Sequence, residues 1–482
     1  MMKSNLSRRQ FAGTSAAAGV GVWLGTTAQS RAYRSPLQEL AGACIGIGGK
    51  GDSDSKHISE LDVNIAGICD VDRNNLKRKG IREKSAEQFQ DFREMLDKLG
   101  DKVDLVSVST PDHTHAAAAM MAMNMKKHVY CQKPLTWSIQ EARLLRETSE
   151  KMGVVTQMGN QGTSEDGLRS AVEVIRSGAI GEVSAVHVWT DRPIWPQGQG
   201  RSETSDDVPS YLNWDGWIGP APMRPFVGKK AYHPFNWRGW LDFGTGALGD
   251  MACHTTNMPV KALELWDPIA VTALKNSGIA AGEQYPSSSS LKFEFPERGD
   301  LAATDFYWYD GGNLPEDSLL EMIKNDAFQT KIANKKVGKP GSDRGYSGAL
   351  IIGSKGIVFS PNDYGAKYDV TIEGKLVVKD GQPVDGYQMP EQTLPRIPFQ
   401  AGTDERQKWE FVKSITGEYE PGTMSNFGYA GRLTETMLVG ILAIRGEVGK
   451  RYEWDAKSME CTNAPEMNQF VGREYREGWT LG

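Results

Sequence analysis

Apolar positions in the first third of the chain come in short runs, separated by stretches long enough for one helix each. Residues 41–47, 62–69, 103–109, 129–131 and 154–158 read as strands, and their near-continuous apolar character is that of strands buried on both faces. Residues 116–127 are rich in Ala and Met and run out in Lys126, Lys127 and His128, cations that complement a helix C-terminus. Residues 165–177 carry a helical pattern stopped by Gly178. Alternation of this kind predicts a parallel α/β sheet over residues 37–161.

Beyond residue 161 the texture changes. Residues 183–190 alternate as a half-buried strand does, and an aromatic stretch punctuated by Gly and Pro follows to about Phe243. Further strand-like segments at 291–295, 302–309, 349–359 and 368–378 predict a second α/β domain, residues 162–482, on a mixed, mainly antiparallel sheet. A helical run covers 429–444. Residues 310–346 and 379–405 are polar, contain Gly and Pro, and read as surface loops.

Composition narrows the class of partner. The formal net charge of −6 provides no basic field for nucleic acid and no polybasic face for an anionic membrane. Small neutral ligands are the natural expectation. The five cysteines are an odd number, and Cys44 and Cys69 lie inside strand-like runs, so they read as buried free thiols. Residues 1–32 stand apart from the fold. Arg8 and Arg9 precede a modest apolar run and then a small-residue zone around Ala28, the pattern of a twin-arginine export signal. The apolar run is too short and too diluted by Gly and Thr to span a bilayer, and no later stretch is apolar enough. A periplasmic location follows as an expectation.

Gly46-Ile47-Gly48-Gly49-Lys50-Gly51 fits G-x-G-x-x-G directly after the first strand. The glycines allow a tight turn, close approach of backbone to a pyrophosphate, and close packing of the following helix. Asp70 ends the second strand, 19 residues past Gly51, where a carboxylate accepts hydrogen bonds from both ribose hydroxyls and repels a 2′-phosphate. NAD is therefore expected over NADP, with Arg73 the nearest residue that argues otherwise. Thr110, Pro111 and His113 follow the carboxyl end of a strand and are expected to border the cofactor. His113 and His115 lack further ligands at zinc-like spacing, so no metal is expected.

Three motifs then stand in a telling order: Ser109-Thr110-Pro111-Asp112-His113-Thr114-His115, Cys131-Gln132-Lys133-Pro134, and Gly249-Asp250-Met251-Ala252-Cys253-His254. Together they resemble the Gfo/Idh/MocA oxidoreductases, named after glucose–fructose oxidoreductase and inositol dehydrogenase. The resemblance implies a Rossmann domain followed by an open-faced mixed sheet that often forms an oligomer interface, hence a dimer or tetramer. It also implies hydride transfer between nicotinamide and a sugar or cyclitol carbinol. The lysine of the family's E-K-P motif maps onto Lys133, and its helical acid–histidine pair onto Asp250 and His254. Gln132 stands where the family usually has glutamate, a loss of charge with consequences for Lys133 or the nicotinamide pocket.

Elementary chemistry assigns roles to the same residues. Removing hydride from a secondary alcohol requires a base for the hydroxyl proton and a donor for the developing alkoxide. Asp250 and His254 at i and i+4 share one helix face. His254 is expected as general base, Asp250 as its orienter, and Lys133 as the cation that polarises the hydroxyl and borders the nicotinamide. Six of the 13 tryptophans lie between residues 189 and 240. Indole faces stack on sugar rings, so Trp195, Trp237, His233 and Arg238 are candidate carbohydrate contacts, with His187 and Arg192 as further polar groups; as a set, the tryptophans equally suit the core of an irregular insertion. The readings in play are a sugar oxidoreductase, an NAD-dependent glycosidase working by transient C3 oxidation and elimination, and a non-catalytic binding module.

Overall fold

In the computed structural model, which describes residues 39–201, 204–228, 231–280, 282–336 and 346–481, the apolar runs of the first third form one parallel sheet. Its strands are β1 (Leu40–Ile45), β2 (Val63–Cys69), β3 (Glu87–Phe89), β4 (Leu105–Val108), β5 (His128–Cys131) and β6 (Thr156–Met158), in the order β3-β2-β1-β4-β5-β6. The order reverses between β1 and β4, which opens a crevice at the carboxyl ends of those two strands. The connecting helices are α1 (Lys50–Ser59), α2 (Arg73–Gly80), α3 (Phe92–Leu99), α4 (Asp112–Asn124) and α5 (Ile139–Met152). β4 is buried along its whole length, as a strand covered by helices on both faces must be. α5 starts at a full capping box, in which the Ser138 side chain accepts from the Glu141 N–H and the Glu141 carboxylate accepts from the Ser138 N–H.

α6 (Asp166–Arg176) leads into the second sheet, which has eleven strands. β7 (Val183–Trp189) is followed by α7 (Trp214–Ile218), α8 (Gly246–Thr255) and α9 (Asn257–Leu263), and then by β8 (Ala270–Asn276), β9 (Ser289–Phe295) and β10 (Thr304–Tyr309). Next come α10 (Asp317–Glu321), α11 (Asp326–Lys336), β11 (Gly348–Gly353), β12 (Gly356–Ser360), β13 (Asp369–Ile372), β14 (Lys375–Lys379) and β15 (Gln382–Pro383). The chain closes with α12 (Thr403–Thr416), α13 (Phe427–Leu438), α14 (Gly440–Arg445), β16 (Arg451–Asp455) and β17 (Glu460–Cys461). Only β7 and β10 pair in parallel; the other named pairs of this sheet are antiparallel. A Rossmann domain joined to an α/β domain with a mixed, mostly antiparallel sheet is thus the architecture. Both sheets lie in one compact unit, residues 38–482.

Three expectations need correction. α4 ends at Asn124 rather than Lys127, because the Met125 and Lys127 N–H groups turn back to the Met121 and Ala122 carbonyls and Lys126 takes φ 58°, closing the helix before the cations. The stretch 310–346 holds two helices, and Leu320, Ile323, Phe328 and Ile332 from it pack with Trp189, Leu350 and Phe359. The stretch 379–405 ends inside α12, whose buried face carries Arg406, Gln407, Lys408 and Glu410, a composition that no apolar period reveals. All five cysteines are free and buried. Among the described residues no helix is long and apolar enough to cross a membrane. The export pattern of residues 1–32 lies outside the described residues.

Candidate active site

The glycine-rich turn between β1 and α1 is shaped by backbone packing. Gly46 takes φ +75°, and a Cβ on Gly51 would stand 1.8 Å from the Gly46 carbonyl oxygen, so only glycine lets α1 start where it does. Asp70 is buried at the end of β2, and its Oδ2 accepts from the Ile47 N–H (3.0 Å) and Asn75 Nδ2 (3.2 Å). Its Oδ1 accepts from the Asp72 N–H at 2.9 Å. Burial raises the Asp70 carboxyl from its ordinary range, against those donors. A carboxylate has about four acceptor positions, which leaves room for a ribose hydroxyl. The turn and the acid therefore fit a dinucleotide. Gly48 and Gly49 complete the turn, and the Lys50 ammonium is turned to Asp54 (3.0 Å) and to Asp404 of α12.

Across the crevice, the loop after β5 brings Lys133 to α8. Lys133 Nζ donates to the Asp250 carbonyl (2.9 Å) and to Asp250 Oδ1 (3.0 Å), and Arg238 Nε donates to the same Oδ1 at 3.1 Å. Burial alone would raise the Asp250 carboxyl, but the two cations outweigh it and hold it at about 2. His254, one turn further along α8, is 5% exposed, and its Nδ1 has no hydrogen-bond partner. Burial and the nearby Lys133 charge press its pKa well below the usual imidazole range, so the ring is neutral. The Asp250 carboxylate faces Lys133 and Arg238, and no hydrogen bond joins it to His254 among the described contacts.

The other expected residues separate into four places. Trp195 and Trp237 lie with Arg238, whose guanidinium stands 4.2 Å from the Trp237 ring centroid and 6.0 Å from that of Trp195, next to Asp250. His233 is elsewhere, with Nε2 at 3.2 Å from the Asp72 carboxylate on the loop after β2. Thr110 and Pro111 form the turn after β4, but both His113 nitrogens face carbonyl oxygens, of Phe243 (3.2 Å) and Trp217 (2.9 Å). His187 stacks on Tyr307 in the large sheet, at 4.6 Å, and takes no part in this cluster. Trp237 also belongs, with Trp214, Trp217 and Trp240, to an apolar cluster that includes Tyr232 and Phe243. No group of three or more His, Cys, Asp or Glu able to hold a metal occurs among the described residues.

Two features were not foreseen. Tyr364, on the loop between β12 and β13, sets its ring edge-on to His254 at 5.0 Å, and its hydroxyl accepts from Gln161 Nε2 at 3.1 Å. That loop comes close only because residue 167 is glycine: a Cβ there would stand 1.9 Å from the Ala366 carbonyl oxygen. The second is a buried network around Asp54, which pairs with Lys408 of α12 (2.7 Å), and whose Oδ2 accepts from Gln132 Nε2 (2.8 Å) and Ser109 Oγ (2.9 Å). The carboxylate missing at position 132 is replaced by one from α1. No local sequence signal joins residue 54 to residue 408.

Comparison with known proteins agrees with this fold. Residues 42–160 match the model of the oxidoreductase family's NAD-binding Rossmann fold, and residues 174–270 match that family's C-terminal alpha/beta domain. The chain is 27% identical over 176 residues to an inositol 2-dehydrogenase of Salmonella paratyphi B, covering 36% of this chain and 48% of that protein. It is 32% identical over 217 residues to the 2,7-anhydro-N-acetylneuraminate hydratase of Escherichia coli K12, covering 44% and 48%. A glycosyl hydrolase family 109 protein of Shewanella pealeana is 27% identical over 207 residues, covering 37% and 44%. The chain thus spans about half the length of the curated relatives it matches. An Azotobacter vinelandii inositol dehydrogenase homolog, solved with NADH and myo-inositol, shares the fold with a TM-score of 0.57 at 15% identity, covering 87% of this chain and 98% of that one.

Proposed function

We propose that this chain, a Gfo/Idh/MocA-type oxidoreductase by its two matched domains, moves hydride between NAD and a secondary hydroxyl of a sugar or cyclitol. The observation that carries the reading is the Lys133–Asp250 pair with the unpartnered, neutral His254 one turn away, set across the crevice from the glycine turn and Asp70. NAD, when bound, supplies the hydride acceptor. Gly46, Gly48, Gly49 and Gly51 admit its pyrophosphate, and Asp70 takes a ribose hydroxyl.

His254 takes the substrate hydroxyl proton on its imidazole as the C–H bond is broken. Lys133 uses two of its three N–H donors on Asp250, and the third holds the substrate oxygen as negative charge develops there. Asp250 holds that ammonium in place. Trp195, Trp237 and Arg238 beside it offer an indole face and a hydroxyl donor to a sugar ring. The similarity to a glycosyl hydrolase family 109 protein supports a second reading, in which the same site oxidises C3 of a glycoside, expels the aglycone by elimination, adds water across the resulting double bond and returns the hydride. The pattern of residues 1–32 supports export and a periplasmic location.

The test is to release and identify the dinucleotide carried by the purified protein, then to incubate the protein with cyclitols, free sugars and aryl glycosides. Reduction of bound NAD by a sugar or cyclitol is expected. Aglycone release without net NADH would favour the second reading, and absence of bound or bindable NAD would overturn both.

A further inference from the structure

The aromatic stretch after β7 is tied to two loops of the Rossmann sheet. The first follows β2 and carries Asp70 and Asp72. There the Arg73 N–H donates to the Tyr211 carbonyl and the Asn213 N–H to the Val71 carbonyl, both at 2.9 Å, so Asp72 and Leu212 face each other as an antiparallel bridge. His233 adds its contact to the Asp72 carboxylate, and Val71 packs against the aromatic cluster. The second loop follows β4. There His113 lies between the Trp217 and Phe243 carbonyls, and Thr114 lies against Gly219, where a Cβ would stand 2.6 Å from its methyl carbon.

In an open parallel sheet a dinucleotide lies across the carboxyl ends at the reversal of strand order, with the acid after the second strand on the adenosine ribose. The aromatic block therefore runs from one flank of the adenosine end to the other. It is stiff: Trp214 and Trp217 stack at 4.8 Å, and Tyr232 meets Trp240 edge-on at 4.8 Å. On the β2 side it is attached by two backbone hydrogen bonds, the His233–Asp72 contact and the packing of Val71.

We propose that this block is a roof over the adenosine half of NAD(H), and that the 71–73/211–213 bridge with the His233–Asp72 contact is the clasp that opens for cofactor exchange. The proposal rests on the NAD reading above and adds that release is gated by His233, a residue that touches neither substrate nor reacting atoms. A stiff block lifts as a unit, so the dinucleotide leaves only when the clasp parts, and the clasp bonds set the release rate.

The experiment measures the release of NADH by the full chain into excess competing NAD, followed by NADH fluorescence. In His233→Ala, release is expected to be about tenfold or more faster, the share of one hydrogen bond to a charged group, with the melting temperature of the cofactor-free protein unchanged. In Arg73→Cys/Tyr211→Cys, oxidation across the bridge is expected to slow release, and a reductant to restore the wild-type rate. Unchanged release in both proteins would overturn the roof while leaving the cofactor reading intact. So would faster release in His233→Ala that merely follows a lowered melting temperature, with no effect of the disulfide. Wild-type protein that takes up no NADH would overturn both.

Discussion

The surroundings of His254 suit it to the proposed role of base. Burial and Lys133 keep the imidazole neutral well below its ordinary pKa, while Asp250, held at about 2, stays ionised across the working range. A folded-state pKa below the free value means that the proton-accepting form persists as pH falls past the free value. The kcat/KM profile is therefore expected to stay flat from pH 8 down through about 6.5, the pKa of unperturbed imidazole, with the acid limb below it; a limb centred there would count against His254. Lys133→Met removes a charge that depresses His254, so its residual activity is expected to show that limb moved to higher pH. In turnover, Lys133→Met and His254→Ala are each expected to lose about 10²–10⁴-fold, the usual share of a general acid–base group, with NADH binding retained by titration. Asp70→Ala is expected to weaken NADH binding instead, by about 1.5–3 kcal/mol for a hydrogen bond to a charged acceptor, measured by the same titration. These residues were legible because their spacing is local: Asp250 and His254 share a helix face, and Asp70 ends the strand after the glycine turn. The direction of the Asp250 carboxylate was not legible, since Arg238 reaches it only through the tertiary fold.

At the scale of elements, α12 shows where reading from periodicity stops. Its inner face is charged because Lys408 enters the Rossmann sheet's flank to meet Asp54, and no hydrophobic pattern announces a helix that buries ions. α11 was hidden differently, as a polar helix with a few apolar anchors, Phe328 and Ile332, between lysines. Most strands of both sheets, by contrast, were visible as apolar runs or alternation, while β3, β8, β15, β16 and β17 escaped notice. The Asp54 network also bears on the missing acid of the second motif. Gln132 donates to Asp54, so restoring glutamate by Gln132→Glu would remove a buried donor and set two carboxylates face to face. Gln132→Glu is expected to lower stability by about 1–3 kcal/mol or more in denaturant unfolding, the cost of leaving a buried polar group unsatisfied. Gln132→Glu/Asp54→Asn is expected to recover only part of that loss, since it exchanges the acid and the amide across one hydrogen bond but takes the Asp54 carboxylate from Lys408. Additive losses in the double variant would mean that the two side chains do not share that bond.

For the whole molecule, the parallel sheet, the mixed sheet and their order along the chain were readable, but the return of late segments onto the first domain was not. α12 packs beside α1, Arg473 Nη2 donates to the His113 carbonyl at 2.6 Å, and the aromatic block bridges two Rossmann loops. Such long-range closures leave no periodic trace, and they bear directly on how the molecule cycles. A protein exported by a twin-arginine route, as the pattern of residues 1–32 suggests, works where no pool of NAD is expected, so a spent cofactor finds no replacement. A dinucleotide that is held between turnovers must then be restored in place, by a second sugar or ketone or by a keto intermediate of the same substrate. Protein purified with its own cofactor is therefore expected to turn over a sugar pair or a glycoside many times with none added. The measurement is product formed per bound dinucleotide, followed well past one equivalent. Catalysis that halted after a single equivalent and resumed only on addition of NAD would mark an ordinary dissociating dehydrogenase instead.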